Sequence, residues 1–144
     1  MPRDFQVALD CADPKGLGQF WIEALGYVEE PPPAGFDTWP DALAAWGLTE
    51  DHYNDAYAAV DPEGKRPRLF FHKVPEGKTV KNRLHLDVRV SGMPGPNRDG
   101  KDEILAAEVA RLEARGGRLF QIVDEPHDYT VVMQDPEGNE FCLT

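Results

Sequence analysis

Two stretches decide the fold: YAAVDPEGKRPRLFF (residues 57–71) and YTVVMQDPEGNEFCLT (residues 129–144). Each sets an aromatic-led apolar run, the tetrapeptide DPEG, and a second apolar run. In such a turn the Asp accepts local backbone hydrogen bonds, the Pro presets the next φ, and the Gly supplies the positive φ that closes a hairpin. Each stretch therefore predicts strand, turn, strand.

Working outward, each hairpin is preceded by the same three elements. FQVALDC (residues 5–11) and RLHLDVRV (residues 83–90) alternate at the strand period. Val7, Leu9 and Cys11 share one face of the first. Leu84, Leu86, Val88 and Val90 share one face of the second, opposite Arg83, His85, Asp87 and Arg89. After the first strand, Asp13 can cap and Pro14 can start a helix with Leu17, Phe20, Trp21 and Leu25 on one side, ended by Gly26. After the second, Asp102 can open a helix with Leu105, Val109 and Leu112 on one side, ended by Gly116 and Gly117. A further strand follows each helix, over residues 27–29 and 118–123. The unit is βαβββ, used twice.

The copies differ by insertions. Gln6 to Gly26 spans 20 positions against 32 from His85 to Gly117, the excess lying in SGMPGPNRDGK after the strand. Conversely, the first unit carries an insertion over about residues 31–57. There Thr38 can cap a short helix with Pro40 in its first turn and Leu43 and Trp46 three apart. The expected organisation is one domain over residues 1–144, with a first unit over 1–74 and a second over 82–144 joined by a short polar connector. The fold class is α+β: two four-stranded units, helices outside, pairing into a curved, half-open sheet with a concave cup.

Composition narrows the partners. A 144-residue chain with 41% hydrophobic and 28% charged residues is that of a globular domain. A formal net charge of −11 opposes nucleic acid and anionic membranes as partners and leaves a neutral or cationic small molecule. The opening residues lack a secretory signal pattern and no apolar run reaches membrane-spanning length, so a cytoplasmic location is expected. Cys11 and Cys142 lie in apolar runs without zinc or disulfide spacing and read as thiols. Neither a phosphate-binding glycine loop nor a nucleophile elbow is present.

VALDCADPKGLGQFWIEALGY (residues 7–27), KNRLHLDVRV (residues 81–90) and the closing DPEGNEFCLT, in this order, make the chain resemble the vicinal oxygen chelate superfamily. This is the glyoxalase, bleomycin-resistance and extradiol-dioxygenase superfamily, and the resemblance is to its glyoxalase-like domain proteins. In its metal-using members the resemblance implies four cup-lining ligands, one each from the first and last strand of each unit. Here those positions fall on Gln6, Phe70, His85 and Cys142. Gln6 and His85 keep the pattern, whereas Phe70 donates nothing to a metal and Cys142 stands where a Glu is expected. His72, two residues beyond Phe70 on the same face, could substitute, giving Gln6, His72, His85 and Cys142 as the ligand set if there is one.

The broken pattern favours a metal-free cup that binds a small organic molecule, in the manner of drug-sequestering relatives. The alternative is a lyase, isomerase or dioxygenase. It would use a divalent metal (Zn, Ni, Mn or Fe) or His85 as general base with Asp87 beside it. Gln6, Phe70, His72, Trp39, Trp46 and Cys142 are the candidate ligand-binding residues, and His85 and Asp87 the candidate catalytic ones. The indoles of Trp39 and Trp46 either pin the insertion to its own unit or line a pocket beneath it as a lid. His52 and His127 sit in polar loops and read as surface residues. Because relatives often pair, a homodimer is expected.

Overall fold

A computed structural model describes residues 1–92, 99–126 and 128–144. His127 and most of the long SGMPGPNRDGK segment therefore lie outside the described residues. The chain divides into two compact units. The first comprises Met1–Ile22 with Gly26–Gly77, and the second comprises Lys78–Thr144 with Glu23–Leu25.

In the first unit, β1 (Val7–Cys11) leads into α1 (Pro14–Leu25), then β2 (Val28–Glu29), α2 (Trp39–Ala45), β3 (Ala56–Val60) and β4 (Leu69–Lys73). The sheet order is β1-β4-β3-β2, with β1 parallel to β4 and the other pairs antiparallel. The Asp13 carboxylate accepts from the Gly16 N–H, Pro14 occupies the first turn, and Gly26 closes the helix at φ 69°. Leu17, Phe20 and Trp21 are buried, as are Leu69 and Phe71 from the apolar face of β4. Gly18 allows the close approach of α1 to the sheet: a Cβ there would lie 2.2 Å from the Tyr57 ring.

The second unit repeats the topology with β5 (Asp87–Val88), α3 (Lys101–Glu113), β6 (Arg118–Glu125), β7 (Asp128–Gln134) and β8 (Glu140–Leu143). The order is β5-β8-β7-β6, again with the first strand parallel to the last. Leu105, Leu112, Val131, Met133, Phe141 and Leu143 form its core.

The two DPEG turns share one construction. Asp61 accepts from the N–H groups of Glu63, Lys65 and Arg66. Asp135 accepts from those of Glu137 and Asn139 and from the Asn139 side chain. Gly64 and Gly138 take the positive φ, 67° and 85°. The tetrapeptide recurs because each hairpin needs a side-chain carboxylate to satisfy the donors of its turn.

Three expectations are corrected. The strand over 83–90 is regular only at Asp87–Val88, its backbone bonds to the last strand run from Leu86 to Val90, and Leu84 is 69% exposed instead of packing under a helix. Asn82 is the reason: its Nδ2 donates to the Leu84 carbonyl and its Oδ1 accepts from Glu140 N, so local side-chain bonds replace the ladder. The helix expected to open at Asp102 is capped by Gly100, in the left-handed region at φ 72°, and begins at Lys101. β6 runs on to Glu125. The insertion, by contrast, folds as expected: Thr38 caps α2, accepting from Asp41 N at 3.2 Å, with Pro40 in the first turn. Among the described residues no helix is long and apolar enough to cross a membrane.

Candidate functional site

The first unit contains a pocket of about 510 Å³ between its insertion and its sheet. Its apolar walls come from Trp39, Pro40, Leu43, Trp46 and Leu48 of the insertion and from Tyr57 and Phe70 of the sheet. Its size falls within the range of small-molecule sites.

The insertion is held in place by hydrogen bonds at both ends. Trp39 Nε1 donates to the Glu30 carbonyl at 2.6 Å, where the chain leaves β2. Asn54, just before β3, accepts from Lys15 N and donates to the Asp13 carboxylate at the start of α1. Between these anchors Trp46 packs edge-on against both Trp39 and Phe36, with centroids 6.3 Å apart, and is 56% exposed. The two indoles thus divide the expected roles. Trp39 pins the segment, and Trp46 presents its ring to the pocket.

The polar face of the sheet carries a connected row. Arg68 makes a bidentate pair with Glu30 (2.8 and 2.6 Å), donates through its third nitrogen to Gln6 Oε1 at 2.8 Å, and lies 5.3 Å over the Phe70 ring. Phe70 in turn stacks on His72, whose Nδ1 is 3.8 Å from the exposed Asp10. Register explains the row: Ala8 pairs with Phe70 and Asp10 with His72, so these side chains project to one face. Of the predicted residues, Phe70, Trp39 and Trp46 line the pocket. Gln6 and His72 do not: Gln6 is engaged by Arg68, and His72 is exposed beside Asp10.

His52, expected as an ordinary surface residue, is exposed but also lines the pocket. Its Nδ1 lies 2.8 Å from Asp55 Oδ2, and that hydrogen bond, with Asp51 and Asp55 nearby, raises its pKa above 6.5. Glu29, Glu30, Glu50 and Asp55 outnumber the fixed cations Lys15 and Arg68 in the lining. Burial, reinforced by Glu29, pushes the Tyr57 phenol up to about 12. Tyr57, Arg68, Glu30 and His52 escaped sequence reasoning because each owes its position to the fold of the insertion or the register of the sheet. The only local signal was the aromatic start of the first hairpin.

In the second unit β5 and β8 pair in parallel with Asp87 opposite Cys142. This register brings His85, Asp87 and Cys142 together, their ligand atoms all within 4.8 Å of one another. His85 Nε2 is 3.3 Å from Asp87 Oδ1. Cys142 is half-buried, and burial first, then the Asp87 charge and the hydrogen bond to Asp87, raise its thiol pKa above 9.0. The thiol thus stays protonated at neutral pH unless a cation displaces its proton.

These positions test the metal that the superfamily resemblance implies. The first unit does not fit: Phe70 has no donor atom, and the Gln6 oxygen already accepts from a guanidinium cation. The second unit holds a nitrogen, an oxygen and a sulfur donor close together, with Asp87 as a member the sequence reading had placed beside His85 but not among the ligands.

Comparison with known proteins gives a consistent result. The glyoxalase-like domain model matches residues 6–144. A possible glyoxalase from Bacillus cereus is 15% identical over 100% of this chain and 99% of its own, with a TM-score of 0.60. A hypothetical protein from S. aureus is 15% identical, with 99% and 96% coverage and a TM-score of 0.55. FosX, a fosfomycin resistance protein from Listeria monocytogenes, was solved as a mutant complexed with Mn(II) and 1S,2S-dihydroxypropylphosphonic acid. It is 10% identical, covering 99% of this chain and 90% of its own, with a TM-score of 0.59. No curated protein sequence matches. Two four-stranded βαβββ sheets of one order, each with the same DPEG turn, and the match from Gln6 to the last residue place the chain in the glyoxalase-like domain family.

Proposed function

We propose that this protein binds a small, flat, apolar organic molecule in the pocket of its first unit, without a tightly held metal, as a sequestering or resistance-type binder. The observation that carries this reading is the insertion itself. It is anchored by the Trp39–Glu30 hydrogen bond and offers the exposed Trp46 ring opposite Phe70. Aromatic walls supply apolar area and stacking, and the surplus of carboxylates favours a guest with positive charge. Such chemistry needs no nucleophile, and Arg68, the cation over Phe70, is already neutralised by Glu30.

The test is a fluorescence titration with 9-aminoacridine, a flat cation, against 1-naphthalenesulfonate, a flat anion. The cation is expected to quench Trp46, to be recovered unchanged, and to bind roughly tenfold more weakly to Trp46→Ala. Failure of the cation to bind, or preference for the anion, would sink the proposal.

One observation favours a second reading. The His85, Asp87 and Cys142 cluster could hold a divalent metal such as zinc, nickel, manganese or iron, or could serve a metal-free enzyme with His85 as base. When bound, such a metal would supply Lewis-acid chemistry, with His85, Asp87 and Cys142 as its holders. Metal content after zinc exposure and dialysis decides: stoichiometric retention that is lost in His85→Ala supports the enzyme class. A homodimer is part of the proposal, since the edge strand β6 exposes Leu119, Phe120 and Ile122.

A further inference from the structure

We infer that the pocket selects a molecule carrying a secondary amide next to its flat apolar group, the amide adding one rung to the first unit's sheet at Ala56; this rests on the pocket proposed above. The inference starts from a mismatch of strand lengths. β3 runs for five residues, Ala56–Val60, but its neighbour β2 for only two, Val28–Glu29. Three consecutive prolines, Pro31, Pro32 and Pro33, follow directly after Glu30. Proline has no N–H to donate, so the ladder cannot continue.

Alternation shows which backbone groups this leaves over. In an antiparallel strand successive residues direct their N–H and C=O to opposite neighbours. The Ala58 carbonyl accepts from Glu30 N at 3.0 Å, and the Asp55 carbonyl accepts from Lys73 N at 2.9 Å. Ala58 thus faces β2, and Asp55 faces β4. Ala56, two residues before Ala58, also faces the β2 side, where no strand remains. Among the described residues its N–H and C=O have no hydrogen-bond partner.

The pocket opens on this edge. Its lining includes the consecutive β3 residues Ala56, Tyr57 and Ala58, which is what a strand edge presents, whereas a sheet face would present alternate residues. Trp39, Leu43 and Trp46 lie across the same pocket. A ligand with one N–H and one C=O on the same side of a trans amide would satisfy both groups of Ala56, as an added strand does, while its aromatic part meets the indoles. An ester of the same shape lacks the donor and offers nothing to the Ala56 carbonyl, which lies at an exposed residue on the strand edge.

The experiment uses the full-length, isotopically labelled chain and two probes, N-(2-naphthylmethyl)acetamide and its ester counterpart 2-naphthylmethyl acetate. The amide is expected to bind roughly three- to tenfold more tightly than the ester and to move the Ala56 amide proton downfield. In Ala56→Pro the advantage disappears while both probes still quench Trp46. Proline is tolerated at a strand edge where the N–H faces away from the ladder. Equal affinity of the two probes, or an unmoved Ala56 resonance while Trp46 is quenched, overturns the edge and leaves the pocket standing. If neither probe perturbs Trp39 or Trp46, the pocket itself is overturned. Should Ala56→Pro not fold, the amide-to-ester ratio and the Ala56 resonance of the unmodified chain decide the matter.

Discussion

The Trp39 indole donates to the Glu30 carbonyl at 2.6 Å, joining the first turn of α2 to the residue that directly follows β2. This bond fixes where the insertion sits over the sheet. Trp39→Phe keeps the aromatic area but removes the donor. It should cost about 1 kcal/mol and speed amide exchange through residues 39–45. Trp46→Ala, at a more exposed ring, should change stability by less than about 0.5 kcal/mol while weakening ligand binding. Hydrogen exchange and chemical denaturation of the two variants separate the pin from the pocket wall.

Gly18 offers a test of sign. In an exposed helix interior, Gly→Ala stabilises by roughly 0.5–1 kcal/mol. At Gly18 the new Cβ would come 2.2 Å from Tyr57 Cδ1 and 3.2 Å from Phe71 Cδ2. Overpacking should win, and Gly18→Ala is expected to destabilise by about 1–3 kcal/mol. A second change, Tyr57→Ala, should recover part of that loss, so a double-mutant cycle measured by denaturation would be strongly non-additive.

Asp135 is wholly buried and accepts from two backbone N–H groups and the Asn139 side chain. Asp135→Ala should cost roughly 1–3 kcal/mol, because its donors lose their acceptor inside the protein. Asp61→Ala should fall in the same direction. Thermal unfolding of both variants checks the reading of DPEG as a carboxylate-built turn. A neutral outcome at Asp135 would contradict it.

Stability should decline at both ends of the pH scale. Hydrogen bonds lower Asp13, chiefly from Asn54, and Asp61, chiefly from the Glu63 N–H. A depressed carboxylate contributes stability that is present above its unfolded value, near 3.8, and is lost as pH falls through the folded one. Tyr57 is the opposite case. Raised by burial from 10.0 to about 12, it contributes stability that is present below 10 and lost between pH 10 and 12. Tyr27 is raised in the same direction, first by burial and then by Asp61. Ultraviolet titration should therefore show two of the four tyrosines ionising late, and Asp61→Asn should flatten the acid limb of the unfolding midpoint.

Much of the fold was legible because its signals are local. The caps at Asp13 and Thr38, the stop at Gly26, the two turns and the apolar stripes each depend on residues a few positions apart, and each appears in the structure. Where a local competitor was overlooked the reading failed, as at Asn82, whose side chain takes the hydrogen bonds that a longer β5 would have used.

The candidate site was less legible. Phe70, Trp39 and Trp46 were named as binding residues and line the pocket, but His52 was set aside, Arg68 and Glu30 carried no signal, and Tyr57 carried only its place at the aromatic start of the first hairpin. Asp87 was placed beside His85, and only the parallel register of β5 and β8 sets it opposite Cys142.

By itself the sequence determined the units, their turns and caps, and the absence of a donor at Phe70, since these follow from side-chain chemistry and short-range backbone geometry. The tertiary structure alone decided which groups meet. Strand order and register are set by contacts between residues tens of positions apart, and it is register that engages Gln6 with Arg68, gathers His85, Asp87 and Cys142, and leaves the Ala56 edge open beneath the indoles.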